Sequence, residues 1–239
     1  MNIKMIISCE HGGHQIPETY QSLFENHQEL LQSHRGWDAG ALDLAQHLQK
    51  EFPTVFHSTT TSRLLVDCNR SIGNTAPFSE ITRLIPEIQQ HEILQTCYFA
   101  HRNPIEQQVR EWIQAGNLVF HLAVHSFTPV LNGRTRSSDI GLLFDHRRPL
   151  EKKFADICRR ELSRGFPGWK IHHNLPYRGV SDGLPTYLRS QFDAAHYVGF
   201  EFELNQKHVD VPVQEWKQIK QAVLKSLSQS LENTSGLSY

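Results

Sequence analysis

The feature that most constrains the fold is the apolar run at residues 118–124, which is rich in valine and leucine. An apolar run without alternation is typical of a strand that is covered on both faces of a sheet, so this run predicts a central strand. A second run at residues 3–8 ends in a glycine turn and predicts another buried strand. Shorter strands are predicted at residues 55–58, 64–66, 140–144, 169–172 and 197–204.

Helical patterns separate these strands along the chain. Apolar residues recur at helical spacing after Asp38 until Pro53 ends the pattern. Further helices are predicted at residues 87–98, 105–114, 150–163 and 184–192, and a last one runs from about residue 216 to residue 227. Strands that alternate with helices predict an α/β fold with a mainly parallel or mixed sheet and helices on both faces. No linker or repeat divides residues 1–239, so we expect a single domain.

The composition restricts the partners. A net charge of -1 on 239 residues gives no electrostatic reason to expect a nucleic acid or an anionic membrane surface. The N-terminal stretch is too short and too weakly apolar for a signal peptide, and we expect a cytoplasmic protein without a membrane span. The cysteines form no CxxC pair, which argues against a disulfide scaffold or a cysteine zinc site. They are Cys9, Cys68, Cys97 and Cys158.

Two histidines lie where predicted strands end. His11 follows the first apolar run, and His125 follows the central one. The carboxyl ends of parallel strands face the ligand crevice of an open sheet, and histidine is the commonest protein metal ligand. The pair therefore suggests a metal site, although each histidine alone also fits a structural role at a strand end.

A catalytic zinc site needs a third protein ligand and an open position for water. The spacing allows Asp38, Glu10 or His14 to be that ligand. Glu10 points away from His11 in a regular strand, whereas His14 shares a side with it only in a helical turn. Asp38 is the more isolated carboxylate, but it also suits an ordinary helix N-cap.

Two glutamates alternate in the last predicted strand. Glu201 and Glu203 are two residues apart, so both side chains point to one face of the sheet. Either one is a candidate general base for a metal-bound water. The alternative is a solvated edge strand, against which the aromatic and apolar neighbours argue.

A third cluster combines arginines with polar side chains. Arg63, Asp67, Asn69 and Arg70 are close in sequence, and arginine binds a carboxylate through a planar pair of hydrogen bonds. We expect these residues and the loop residue Arg178 to bind a small acidic substrate. A surface ion pair between Asp67 and Arg70 is the alternative.

Taken together and in order, the motifs from residue 8 to about residue 208 resemble the N-formylglutamate amidohydrolase family. They are CEHGG at 9–13 with IP at 16–17, WDAGA at 37–41, SRLLVDCNR at 62–70, VHSF at 124–127 and ELN at 203–205. The resemblance implies a zinc-dependent amidohydrolase that removes an N-acyl group from an acidic amino acid. It also implies a three-layer α/β/α fold of the phosphorylase/hydrolase type.

The resemblance also implies roles for particular residues. The segment at Asn69 and Arg70 looks like one that the related aspartoacylase group uses to bind substrate. The segment at Glu203 is similar to the one that carries the catalytic glutamate of zinc carboxypeptidases. Those enzymes have a glutamate three residues after the first histidine, where this chain has His14, so we expect Asp38 to supply the carboxylate ligand.

The resulting hypothesis is that His11, Asp38 and His125 bind Zn²⁺ while Glu203 is the general base. Arg63 is expected to contribute to catalysis by stabilising the oxyanion and, with the other arginines, to orient the substrate. Two alternatives stay open: a zinc carboxypeptidase that acts on a short peptide, and a noncatalytic protein that binds acidic amino-acid derivatives. The sequence does not specify the acyl group, the pathway or the oligomeric state.

Overall fold

The computed structural model describes residues 2–73 and 77–235, and its centre is a six-stranded mixed sheet. The strands in chain order are β1 (Ile3–Cys9), β2 (Thr54–Ser58), β3 (Leu118–Phe127), β4 (Val130–Leu131), β5 (Arg134–Thr135), β6 (Ile140–Leu143), β7 (Ile171–His173) and β8 (Tyr197–Asn205). β4 and β5 form a separate hairpin, and the order in the main sheet is β2-β1-β3-β8-β6-β7.

Helices cover both faces of this sheet. They are α1 (Gln28–Gln32), α2 (Ala41–Glu51), α3 (Glu87–Ile93), α4 (Ala100–Gln114), α5 (Pro149–Gly165), α6 (Leu184–Gln191) and α7 (Val213–Ser235). The strands β2, β1, β3 and β8 are parallel, β6 runs antiparallel to β8, and β7 is parallel to β6. The predicted α/β/α fold with a mixed, mostly parallel sheet is confirmed.

The two faces of the central strands differ in chemistry. Phe120, Leu122 and Val124 of β3 point to the face that α2, α5 and α7 cover, and they belong to the largest hydrophobic cluster. His121 and His125 alternate with them on the opposite face, and both are buried. One face thus supplies most of the hydrophobic stabilisation, while the other carries polar groups toward the carboxyl ends of the strands.

Residues 64–66 are buried but do not form the predicted strand. They adopt turns and belong to a separate hydrophobic cluster that includes Phe24 and Tyr98. The hydroxyl of Thr82 donates a hydrogen bond to the carbonyl of Leu65 at 2.9 Å, which occupies a backbone group that a strand would use. The apolar residues 64–66 are therefore explained by burial in this cluster and not by pairing in the sheet.

The predicted gap between two helices at residues 99–104 is helical as well. A π-helical segment, Leu94–Phe99, joins α3 to α4, and α4 continues through Pro104. Arg102 lies between the rings of Tyr98 and Tyr187, at 5.0 and 4.8 Å from their centroids, so a charged residue is packed as a core residue here. No helix among residues 2–73 and 77–235 is long and apolar enough to cross a membrane.

Candidate active site

The carboxyl ends of three adjacent strands bring the predicted residues together. His11 follows β1, His125 is near the end of β3, and Glu203 is near the end of β8. The register of the parallel pair places His125 directly beside Glu203. Rigid neighbouring strands therefore fix the spacing of these side chains.

His11, Asp38 and His125 form a buried triad that is suited to a metal ion. Three potential ligand atoms, one from each residue, lie within 4.8 Å of one another. Nδ1 of His11 and Nδ1 of His125 lie 3.3 and 2.9 Å from the same oxygen of Asp38, Oδ2. Two imidazoles and one carboxylate are a donor set that zinc accepts in catalytic sites.

Asp38 reaches the triad from a loop that packs against β1 and β3. Its backbone N–H donates to the carbonyl of His11 at 3.0 Å, and the hydroxyl of Ser126 donates to the carbonyl of Ala39 at 2.6 Å. The residue at the N-cap of α2 is Gly40, with a φ of 77°. The carboxylate of Asp38 therefore faces the two histidines and does not cap the helix.

Each histidine of the triad has a carboxylate on its other ring nitrogen. Nε2 of His11 lies 2.7 Å from Asp67, and Nε2 of His125 lies 3.0 Å from Oε2 of Glu10. The Glu10 contact is an ion pair rather than a well-aligned hydrogen bond, because both of its atoms are buried without a hydrogen-bond partner among the described residues. Carboxylates in this position orient metal-ligating histidines.

The two other candidates for the third ligand lie outside the triad. Glu10 is behind His125, where it also approaches Nε2 of His101 at 3.5 Å. His14 is exposed, and its ring contacts Trp37 at a centroid distance of 5.1 Å. Of the three candidates, Asp38 alone shares a buried cluster with both His11 and His125 among the described residues.

The buried charges around the triad stabilise one another. Burial opposes ionisation of Glu10, but His101 and His125 outweigh it and hold the pKa of Glu10 well below its ordinary value. Burial likewise opposes ionisation of Asp67, and Arg63 and His11 lower its pKa well below the usual range. Burial lowers the pKa of His125, yet Asp38 and Glu10 raise it well above normal. This pocket of carboxylates favours a cation at the centre.

Glu203 is the acidic group whose environment opposes ionisation. Burial, together with the nearby Asp38 and Glu201 carboxylates, raises the pKa of Glu203 to about 8 against the lowering effect of His125 and Arg63. Its Oε2 atom is buried and has no hydrogen-bond partner among the described residues. A carboxyl group with a pKa near neutrality is suited to accept and return a proton at the working pH.

The raised pKa of Glu203 predicts a pH-dependent stability of the metal-free protein. An unfolded glutamate has a pKa of about 4.3, so the folded state binds this proton more tightly. The contribution is fully present below pH 4.3 and is lost as the pH rises to about 8, the folded-state pKa of Glu203. Between pH 5 and pH 9 we expect the free energy of unfolding of wild type to fall by a few kcal/mol more than that of Glu203→Gln. Urea unfolding of both metal-free proteins at the two pH values measures this, and identical pH dependences would contradict it.

Arg63 connects the triad with the carboxylate behind His11. Its guanidinium donates to Oδ2 of Asp67 at 2.8 Å and lies 3.6 Å from Oδ1 of Asp38. Burial lowers the pKa of Arg63, but Asp67 and Asp38 raise it well above normal, so the residue is a fixed cation. Arg63 also lines the cavity at the triad. Asp67 does not line the cavity, and it contacts His11 and Arg63 instead.

Three other predicted substrate-binding residues line the same cavity. Asn69 and Arg70 come from the loop after Asp67, and Arg178 comes from the loop before α6. A guanidinium N–H of Arg70 donates to the backbone carbonyl of Asp182, which joins the two loops. The cavity has a volume of about 190 Å³, below the roughly 300–1,000 Å³ of drug-sized pockets. It suits a small molecule.

Several cavity residues were not predicted from the sequence. They are His34, Ser126, Phe127, Thr128, Leu143, Tyr177, Ser181 and Asp182. Glu201, one of the two predicted candidates for the base, lines the cavity as well. The loop of Tyr177 passes close over β6, because a Cβ at Gly141 would lie 2.1 Å from the carbonyl of Leu175. Gly141 lies beside Glu203 in the sheet, and a glycine in a strand marks such a close backbone approach. That glycine was the one available signal for this loop.

Solved structures of similar fold cover nearly the whole chain. The gene product Atu2144 of Agrobacterium tumefaciens has a TM-score of 0.81 at 24% identity over 96% of this chain and 91% of its own. An N-formylglutamate amidohydrolase from Ralstonia eutropha JMP134 has a TM-score of 0.71 at 14% identity, over 99% of this chain and 96% of its own. No curated protein matches the sequence significantly.

The sequence itself matches a family model over most of its length. The N-formylglutamate amidohydrolase model covers residues 3–209, a range that contains both histidines, Asp38, the arginine cluster and Glu203. The match agrees with the resemblance that the ordered motifs indicated. The chain belongs to the N-formylglutamate amidohydrolase family, whose members are amide hydrolases.

Proposed function

We propose that this protein is a zinc-dependent enzyme that hydrolyses the amide bond of an N-formyl or N-acyl amino acid with an acidic side chain. The observation that carries the proposal is the buried triad of His11, Asp38 and His125 with Glu203 beside it on the next strand. Family membership supports the reaction class. The triad supports the metal.

Both the three candidate ligands and the carboxylates behind the histidines fit a zinc site. His11, Asp38 and His125 would hold the ion, and Asp67 and Glu10 would fix the orientation of the two rings. Three protein ligands leave a position for water, as catalytic zinc sites require. Bound zinc supplies Lewis acidity, which polarises a carbonyl and lowers the pKa of water toward neutrality.

Glu203 is the general base in this proposal. It is the cavity carboxyl with a buried, unpartnered oxygen, and it lies beside His125 in the sheet. Glu203 takes a proton from the attacking water and later returns it to the leaving nitrogen. Its environment lets the same group act first as a base and then as an acid.

Arg63 stabilises the negative charge that develops on the carbonyl oxygen. Its guanidinium is anchored by Asp67 and reaches Asp38, so it stays at the edge of the triad without reorganisation. Arg70 and Arg178 also line the cavity and supply cationic groups to which substrate carboxylates would bind. Asn69 contacts Glu201 of β8 through its amide nitrogen. The small cavity favours an N-acyl amino acid over a peptide.

A hydrolysis assay over a panel of N-acyl amino acids tests this function. The panel pairs formyl, acetyl and larger acyl groups with acidic, neutral and basic side chains, with protein that carries zinc. We expect release of the free amino acid from small-acyl acidic substrates. Hydrolysis of peptides without hydrolysis of any N-acyl amino acid would contradict the proposal.

The carboxylates behind the histidines should control zinc affinity. We expect Glu10→Gln and Asp67→Asn each to weaken zinc binding about 10- to 100-fold, because a neutral partner no longer orients and polarises the ring. Competition with a zinc-binding dye measures the affinity. Asp139→Asn is the matched control, since Asp139 pairs with His208 at 2.8 Å outside the triad. Equal affinities in wild type and both variants would contradict the role.

A further inference from the structure

Glu201 is a buried cavity carboxylate that the proposed reaction does not use. Its exposed fraction is 7%, yet it lines the same cavity as the triad. It lies on β8 two residues before Glu203, on the same face of the sheet. Within the described residues it forms no ion pair with any arginine or lysine of the cavity. A buried carboxylate without a cation normally needs hydrogen-bond donors.

Asn69 supplies one donor, in a fixed orientation. The backbone N–H of Leu184 donates to Oδ1 of Asn69 at 2.6 Å, so the amide nitrogen of Asn69 points the other way. That nitrogen, Nδ2, donates to Oε1 of Glu201 at 3.3 Å. Gly183 closes this side, because a Cβ there would lie 3.3 Å from Oε1 of Glu201. One oxygen of Glu201 is thereby occupied and held.

The second oxygen, Oε2, has no such partner. No described residue donates a hydrogen bond to it, and it is not among the described atoms that are sealed from solvent without a partner. Since Glu201 lines the cavity, this oxygen is open to the substrate space. It is a hydrogen-bond acceptor that is available to a donor on the ligand.

The position of Glu201 matches one particular donor. Residues two apart in a strand are separated by roughly 7 Å, so Glu201 is about that far from Glu203 along the sheet. In a trans amide the C=O and N–H groups point in opposite directions. A carbonyl oxygen turned toward the triad and Arg63 therefore directs the N–H away from them, and Glu201 is a cavity acceptor that is set back from Glu203 along β8.

We propose that Glu201, held by Asn69, accepts a hydrogen bond from the N–H of the scissile amide and makes the site selective for secondary amides. The inference rests on the proposed function, because it concerns the substrate of that same site. It makes Glu201 a substrate-binding and specificity-determining residue, distinct from the base Glu203.

The role continues as the C–N bond breaks. The water oxygen bonds to the carbonyl carbon, and the water proton passes through Glu203 to the nitrogen. The remaining hydroxyl proton of the new acid also ends on the amine, so the products are a carboxylate and an ammonium group. Glu201 stabilises the leaving nitrogen throughout the reaction, because the positive charge on that nitrogen grows beside the carboxylate of Glu201.

Matched substrates test the hydrogen bond directly. The best N-acyl amino acid of the panel is compared with its N-methyl derivative and with the O-acyl 2-hydroxy acid of the same skeleton, which both lack the N–H. Wild type and Glu201→Gln are assayed on all three. In glutamine one of the two terminal positions is an NH₂ donor, so the side chain cannot accept from Asn69 at one position and from the substrate at the other.

We expect Glu201→Gln to lower kcat/KM for the N–H substrate about 10- to 100-fold, the effect of one charge-assisted hydrogen bond. The ester and the N-methyl amide should change by less than about threefold, because they have no donor to lose. Equal losses on all three substrates would overturn the inference and leave the proposed amide hydrolysis intact. The comparison among substrates within one variant removes any effect of reduced folding.

Binding provides the second readout. Calorimetric affinities of the amide and the ester are measured in Glu203→Gln and in Glu203→Gln/Glu201→Gln, where turnover is slow. A loss of affinity for the amide alone supports the inference, even if no panel member is hydrolysed. The absence of hydrolysis would contradict the proposed function instead. Unchanged or equally reduced affinities for both ligands would overturn it.

Discussion

Glu203→Gln is expected to reduce turnover by about 10²- to 10⁴-fold while leaving zinc binding unchanged. Glutamine keeps the size of the side chain but cannot take the proton of the attacking water. Glu203 lies beside the triad rather than in it, so the proposed metal ligands His11, Asp38 and His125 are untouched. Steady-state kinetics together with metal analysis of the same protein sample measure both parts of the prediction.

Glu201→Gln is the matched control, because it changes a neighbouring buried carboxylate on the same strand face. It should slow the N–H substrate and spare the ester, whereas Glu203→Gln should slow both, since both need an activated water. A Glu203→Gln enzyme with wild-type turnover would remove Glu203 as the base. A zinc-free Glu203→Gln protein would instead make Glu203 part of the metal site.

Removing the metal is expected to cost at least about 10³-fold in turnover, because several kcal/mol of charge stabilisation and the activated water are lost together. A chelator should abolish hydrolysis, and added zinc should restore it. Zinc should also raise the free energy of unfolding relative to the metal-free protein. The difference should be about 4 kcal/mol when the free zinc concentration is about 1,000 times the Kd. Thermal unfolding with and without zinc measures this effect.

Calcium and magnesium serve as the controls for reconstitution. Both prefer oxygen ligands, whereas the triad offers two imidazole nitrogens and one carboxylate, so neither should restore activity. Full activity in chelator-treated protein that contains no metal by analysis would contradict a metal-dependent mechanism.

The sheet and the histidine pair were predictable because both depend on local sequence. Apolar runs locate buried strands, and the parallel order of the strands brings their carboxyl ends to one edge. His11 and His125 meet there for that reason alone, and Glu203 joins them through the register of β3 with β8. The register that places Glu203, and not Glu201, beside His125 is seen only in the structure.

The third partner of the triad was not predictable from spacing. Asp38 and Glu10 are both carboxylates near a histidine in sequence, and both lie within ion-pair distance of His125 in the structure. Which nitrogen each one faces depends on how the loop before α2 folds back onto β1. The resemblance favoured Asp38, and the geometry supports it by grouping Asp38 with both histidines.

The failures have different physical causes. Residues 64–66 were misread as a strand because apolar residues indicate burial, and burial there comes from a cluster that sequence-distant segments build. The helix predicted from residue 105 begins earlier, at Ala100, and continues through Pro104. Tyr177 and Ser181 were missed because loop residues carry no periodic signal. Asp67 was predicted to bind substrate; in the structure it contacts Nε2 of His11 and does not line the cavity.

Zinc content per chain is the most direct measurement of the central claim. Purified wild-type protein and the variants His11→Ala, Asp38→Ala and His125→Ala are saturated with zinc, freed of weakly bound metal and analysed by mass spectrometry of the element. The account predicts about one zinc per chain in wild type and little in any of the three variants. One zinc per chain in Asp38→Ala would contradict the ligand set, and no zinc in wild type would contradict the metal site altogether.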